Sequence, residues 1–313
     1  MAGNLSGVKA RIQAEFPKAV YVHCVSHKLN LVIVEACKIP AVRNAMGVIT
    51  KVADFFKNSL KRQAFLEKKI CEQGQDQAPK RTKLLGLCKT RWIQRHDALE
   101  NFDQLFTTLI VVFEDIKDSS TGWNRETVTD ATTLLHCISQ FEFVMAFTTM
   151  IKVMSTLNGL SVKLQSFSRD ISKVYKDVDR TCQGLQHFRD NVSEHSDRWF
   201  KYAPEKVREA VGESDYEPCL PRRCGRQRNR ANVSAETAEE YFRRTTAIRF
   251  LDHFLGQMKE RFSDTQKKSV LGLSLVPLAM RTDPFWKRHV EELGAFYQTD
   301  LPSPATFDEE LVC

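Results

Sequence analysis

In "YVHCVSHKLNLVI", Tyr21 to Ile33, Cys24 and His27 stand three residues apart, the spacing of one half of a tetrahedral zinc site. A second half is hard to find in the chain. Cys219 and Cys224 are too widely spaced for a tight ligand pair, and Cys71, Cys88 and His96 fall on different predicted elements. The same residues allow two other readings: a thiol nucleophile beside a base, or a buried structural thiol next to a hydrogen-bonded imidazole. No G-x-S-x-G elbow, glycine-rich phosphate loop or H-E-x-x-H occurs anywhere, so the common hydrolase and nucleotide-binding signatures are missing.

Arginine provides the other candidate chemistry. "PRRCGRQRNR" gathers Arg222, Arg223, Arg226, Arg228 and Arg230 with no acid among them, a concentrated positive field suited to phosphate. A solvated basic loop is the alternative. The chain as a whole carries 46 Lys+Arg against 39 Asp+Glu, a net +7, which biases encounters toward polyanions without requiring them.

The elements that must position these residues are mostly helical. "NLSGVKARIQAEF" can cap on Ser6, repeats apolar residues at Val8, Ile12 and Phe16, and stops at Pro17. "AVYVHC" reads as a single short strand. Helical spacing then begins at His27 and restarts at Pro40, running through Val42, Met46, Ile49, Val52 and Phe55. "TRWIQRHDALENFDQLFTTLIVVFEDI" places Trp92, Leu99, Phe102, Phe106, Leu109, Phe113 and Ile116 on one stripe. Near-heptad spacing from Leu164 to Val192 predicts further helix, which a helical hairpin or a short coiled coil would fit. "AETAEEYFRRTTAIRFLDHFLGQMKERF" predicts one amphipathic helix, with Tyr241, Ile248, Leu251, Leu255, Met258 and Phe262 on its apolar face. Between Tyr202 and Ser234, Pro204, Pro218, Pro221 and Gly225 break the pattern and predict a long loop.

Nine cysteines at scattered spacings, with no charged-then-apolar leader, read as thiols of a soluble intracellular chain. The longest apolar stretches noted, "LFTTLIVVF" and "LGLSLVPLAM", fall short of the roughly 20 residues that span a bilayer. The expectation is no membrane segment.

Four stretches together carry a resemblance: "MAGNLSGVKARI", "YVHCVSHKLNLVI", "FFKNSLKRQAFL" and "LCKTRWIQRHDAL". With the later "PRRCGRQRNRANVSAETAEEYFRRTTAIRFLDHFLGQM" and "DLPSPATFDEEL", the chain resembles the hAT superfamily of DNA transposases, and within it the relatives that carry THAP or MYM-type zinc fingers. The resemblance implies a mainly α fold in which a partial RNase H-like fragment precedes a large all-helical insertion domain. Its implied boundaries are 1–37 for the RNase H-like part, 38–201 for the first half of the insertion domain, 202–234 for the basic loop and 235–313 for the second half. Cys24 and His27 are then structural residues beside an ancestral active site, neither nucleophile nor zinc ligands. Arg91 and Trp92 match the family's "RW" motif, whose Trp is implied to stack on a displaced base. An indole face suits such sequence-tolerant contact; core packing on its own helix is the competing role.

The family cuts DNA with two Asp and one Glu that hold divalent metal. The resemblance places all three outside these 313 residues and matches none of Asp54, Asp97, Glu100 or Asp103 to them. The expectation is therefore a transposase-derived nuclear protein without catalytic residues or cofactor, binding DNA or partner proteins. The family oligomerises, but the segment responsible is not expected in this chain. Two alternatives stand beside it: a piece of an active metal-dependent transposase, and a protein-interaction or regulatory module.

Overall fold

The computed structural model describes residues 7–19, 21, 24–73, 83–87, 92–118, 122–165, 171–192, 220, 233, 235–262, 284–303 and 306–307. Among them the chain is mainly α: α1 (Val8–Glu15), α2 (Val25–Ala36), α3 (Pro40–Lys57), α4 (Leu60–Gln73), α5 (Trp92–Asp118), α6 (Arg125–Ile138), α7 (Phe141–Gln165), α8 (Ile171–Asp190), α9 (Ala238–Phe242), α10 (Arg249–Arg261) and α11 (Trp286–Tyr297). A π-helical turn, Arg243–Ile248, joins α9 to α10. No strand occurs among the described residues. The strand expected at Ala19–Cys24 is absent at Ala19, Tyr21 and Cys24, while Val20, Val22 and His23 lie outside the described residues.

The chain divides into two compact units. One comprises Asn30–Gly159 and Cys182–Gln257. Here α5 packs on α4 and α6, and α3 on α4 and α6. Pro40 opens α3 at a position where its missing N–H costs nothing. The face of α3 bearing Val42, Ile49, Val52, Phe55 and Phe56 is buried. Phe55 and Phe56 both meet Phe113 of α5, at centroid separations of 5.5 Å. Elsewhere on α5, Phe102 and Phe106 pack against Phe147 of α7. The α5 stripe is buried at Leu99, Phe102, Phe106, Leu109, Phe113 and Ile116. Gly122, at φ +90°, turns the chain toward α6. Asn124 then caps that helix, its side chain accepting from Thr127 N at 2.9 Å.

The other unit comprises Met1–Leu29, Leu160–Thr181 and Met258–Cys313. Ser26 Oγ donates to the Leu164 carbonyl at 3.2 Å. Lys18 pairs with Asp300 at 3.6 Å. α1 ends before Pro17 as expected, but its stripe is not a core face: Val8, Ile12 and Phe16 are all exposed. Ser6, its expected cap, lies outside the described residues.

Three further expectations concern the helices. Of the helix expected from Leu164 to Val192, Leu164 lies at the end of α7 and α8 covers Ile171–Asp190, while Phe167 lies outside the described residues. The single helix expected around 238–261 contains the π turn. This wider turn shifts the register, so Phe242 is buried while Tyr241 is only half-buried. Finally, one described helical segment, Phe141–Leu164, is long and apolar enough to cross a membrane. Most of it is buried in the protein, with Met145, Ala146, Met150, Val153 and Met154 fully inaccessible; a core helix meets the same criteria.

Candidate nucleic-acid interface

Of the residues expected to meet DNA, Trp92 falls on a described element, as the first residue of α5. Its side chain and the whole of Arg91 lie outside the described residues. From His96 onward the helix is largely enclosed, at His96, Ala98, Leu99, Asn101 and Phe102. The preceding stretch of chain is tied to the helix here, since Leu85 N donates to Asn101 Oδ1 at 3.0 Å. Trp92 thus stands four residues before the first described buried side chain of α5. Arg222, Arg223, Arg226, Arg228 and Arg230 fall outside the described residues, as do Cys88, Cys219 and Cys224.

Cys24 and His27 are both exposed, Cys24 just before α2 and His27 in its first turn. Exposure removes the reading of Cys24 as a core thiol. The enclosed residue of this segment is one that spacing did not single out. Lys28 is 3% exposed, and its Nζ donates to Tyr175 Oη at 3.3 Å. The same ammonium lies 5.8 Å from the centre of the Tyr175 ring and 5.4 Å from that of Phe262, within cation–π range. Burial lowers the Lys28 pKa and raises that of Tyr175, because each charged form loses water. A lysine among helical apolar residues looks like a surface position in sequence, and only the distant aromatic partners reveal its role.

On the other unit, a cleft of about 580 Å³ is lined by Glu35, Lys38, Ile39 and Pro40 beside Arg249, Asp252 and His253. Both of its carboxylates are paired, one of them with a residue outside the lining. Lys38 meets Glu35 at 2.7 Å, and Arg189 grips Asp252 through two hydrogen bonds of 2.7 and 3.3 Å. This pairing raises the Arg189 pKa, first through the hydrogen bond to Asp252.

Among the described residues one group of side chains could hold a metal ion: His96, Asp97 and Glu100, whose ligand atoms lie within 4.8 Å of one another. Sequence spacing left His96 isolated and the two acids unassigned. The signal available was H-D-x-x-E on a helix, which puts the first and last residues on one face.

No protein-family model and no solved structure matches the chain. Curated proteins do, among them two that share a name. The human "52 kDa repressor of the inhibitor of the protein kinase" is 26% identical over 314 aligned residues, covering all of this chain and 40% of its own length. The mouse protein of the same name is likewise 26% identical, with 41% of its length covered. The chain therefore spans about two-fifths of the length of the curated relatives it matches.

Proposed function

We propose that the chain is a transposase-derived, catalytically inactive DNA-binding regulator that acts in the nucleus. The observation that carries this reading is the alignment of the whole chain with two proteins named as repressors. In this proposal residues 1–37 derive from an RNase H-like core and the remainder from a helical insertion domain, with 202–234 as its basic loop. Cys24 and His27 mark the edge of the ancestral active site. Arg91 and the five loop arginines engage phosphates, for which the planar guanidinium is well shaped, and Trp92 stacks on an unpaired base. No cofactor takes part in this binding.

The proposal is tested by duplex affinity as a function of salt. Replacing Arg222, Arg226 and Arg230 by Ala should flatten the logarithmic salt slope by about 0.9 for each phosphate no longer engaged. A slope unchanged by the triple replacement would make the loop a solvated linker. Metal-dependent strand cleavage by the 313-residue chain would overturn the claim of inactivity.

A second reading is favoured by the coverage of the relatives: the chain aligns with about two-fifths of their length, and in this reading the proposed DNA binding is one part of a longer protein's activity. A chain extended at both ends, assayed beside this one for cleavage and binding, separates the two.

A further inference from the structure

We infer that His96, Asp97 and Glu100 form a binding site for one divalent transition-metal ion, with Zn²⁺ the best fit. The inference is independent of the DNA-binding proposal. The three side chains lie within five consecutive residues of α5, and their ligand atoms lie within 4.8 Å of one another. His96 and Glu100, four apart, share a face of the helix, and Asp97 is three residues from Glu100 on the adjoining edge. His96 Nδ1 is 3.9 Å from Asp97 Oδ1.

The donors differ in a way that suits capture of an ion. His96 is 6% exposed, so its ring is held by packing before any metal arrives. The Asp97 side chain is about half accessible, at 45%, and Glu100 is exposed. These two carboxylates can swing inward while the imidazole stays fixed. Bonds of about 2.0–2.2 Å to nitrogen and oxygen require each donor to close by less than about 1 Å from the present arrangement. The site lies in the second and third turns of α5, past the first turn where the positive end of the helix dipole would oppose a cation.

Chemistry narrows the ion. One imidazole with two carboxylates favours Zn²⁺, Co²⁺ or Mn²⁺ over Mg²⁺ and Ca²⁺, which prefer oxygen alone. Three protein ligands leave a fourth tetrahedral position for water or an incoming anion.

The test uses the full 313-residue chain, reduced, titrated with Zn²⁺ by calorimetry and with Co²⁺ by absorption spectroscopy. The expected result is one ion per chain, with a cobalt spectrum free of thiolate charge-transfer bands. His96→Gln alters an enclosed position, so the decisive variant is Asp97→Asn with Glu100→Gln, both at accessible positions. Loss of hydrogen-bonding partners behind a metal ligand costs about 10–100-fold in affinity, so loss of two direct ligands should weaken Zn²⁺ binding by at least about 100-fold, with far-ultraviolet dichroism unchanged. Three results overturn the inference: the same affinity in the double variant, thiolate bands in the cobalt spectrum of the unmodified chain, or no binding up to millimolar Zn²⁺.

Discussion

Lys28 shows how a single side chain can set a pH response. Its pKa in the folded protein is lowered by burial, so between that value and the ordinary lysine value the unfolded chain holds the proton more tightly than the folded one. Stability therefore rises with pH across this window. Tyr175 acts in the opposite sense at higher pH: its pKa is raised by burial, so above the ordinary tyrosine value the unfolded chain ionises first and stability falls. Replacing Lys28 with Met keeps the bulk and removes the titration. Thermal melts at a series of pH values should show the alkaline rise in the unmodified chain and its absence in Lys28→Met. Parallel pH profiles of the two proteins would refute the assignment. Trp92 offers a second test at this scale. As a base-stacking residue, Trp92→Ala should change stability by less than about 1 kcal/mol and weaken binding to single-strand-tailed duplex by about 1–3 kcal/mol. A drop of about 3–5 kcal/mol in stability would instead assign it to the core.

The helices divide into those that sequence announces and those it hides. α3 was legible because Pro40 marks its start and one face is apolar throughout. α5 was legible for the second reason alone. The π turn was not, since its extra residue leaves apolar residues at intervals that an ordinary helix also allows. α7 was hidden because apolar residues surround its first half and leave no polar face to set a period. The metal-competent group stands in the sequence as H-D-x-x-E on a legible helix, but that spacing alone does not bring three ligand atoms within 4.8 Å, and the base-stacking role of Trp92 could be named only through family resemblance. Two energetic tests belong here. Phe113 is fully buried against Phe55 and Phe56, so Phe113→Ala should cost about 3–5 kcal/mol in denaturant unfolding. Asn124→Ala removes one capping bond at an exposed helix end and should cost only about 1 kcal/mol. Equal costs would mean that the aromatic packing is not the stronger of the two.

At the scale of the molecule, the unit containing α1 is assembled from three separated stretches of chain. Within it, the first turn of α2 relies on the Leu164 carbonyl, Tyr175 and Phe262. A peptide of residues 1–37 lacks all three and should show no cooperative thermal transition by circular dichroism; a sharp melt would prove that it folds alone. The same arrangement has a consequence for synthesis. The partner ring of Phe262 follows Lys28 by about 230 residues, which at ordinary translation speeds is a wait of about ten to fifty seconds. Throughout that interval the lysine has emerged and stays in water, because its aromatic enclosure is complete only once Phe262 has followed it. A message cut by an early stop codon before position 262 would leave this enclosure permanently open, with Lys28 still in water.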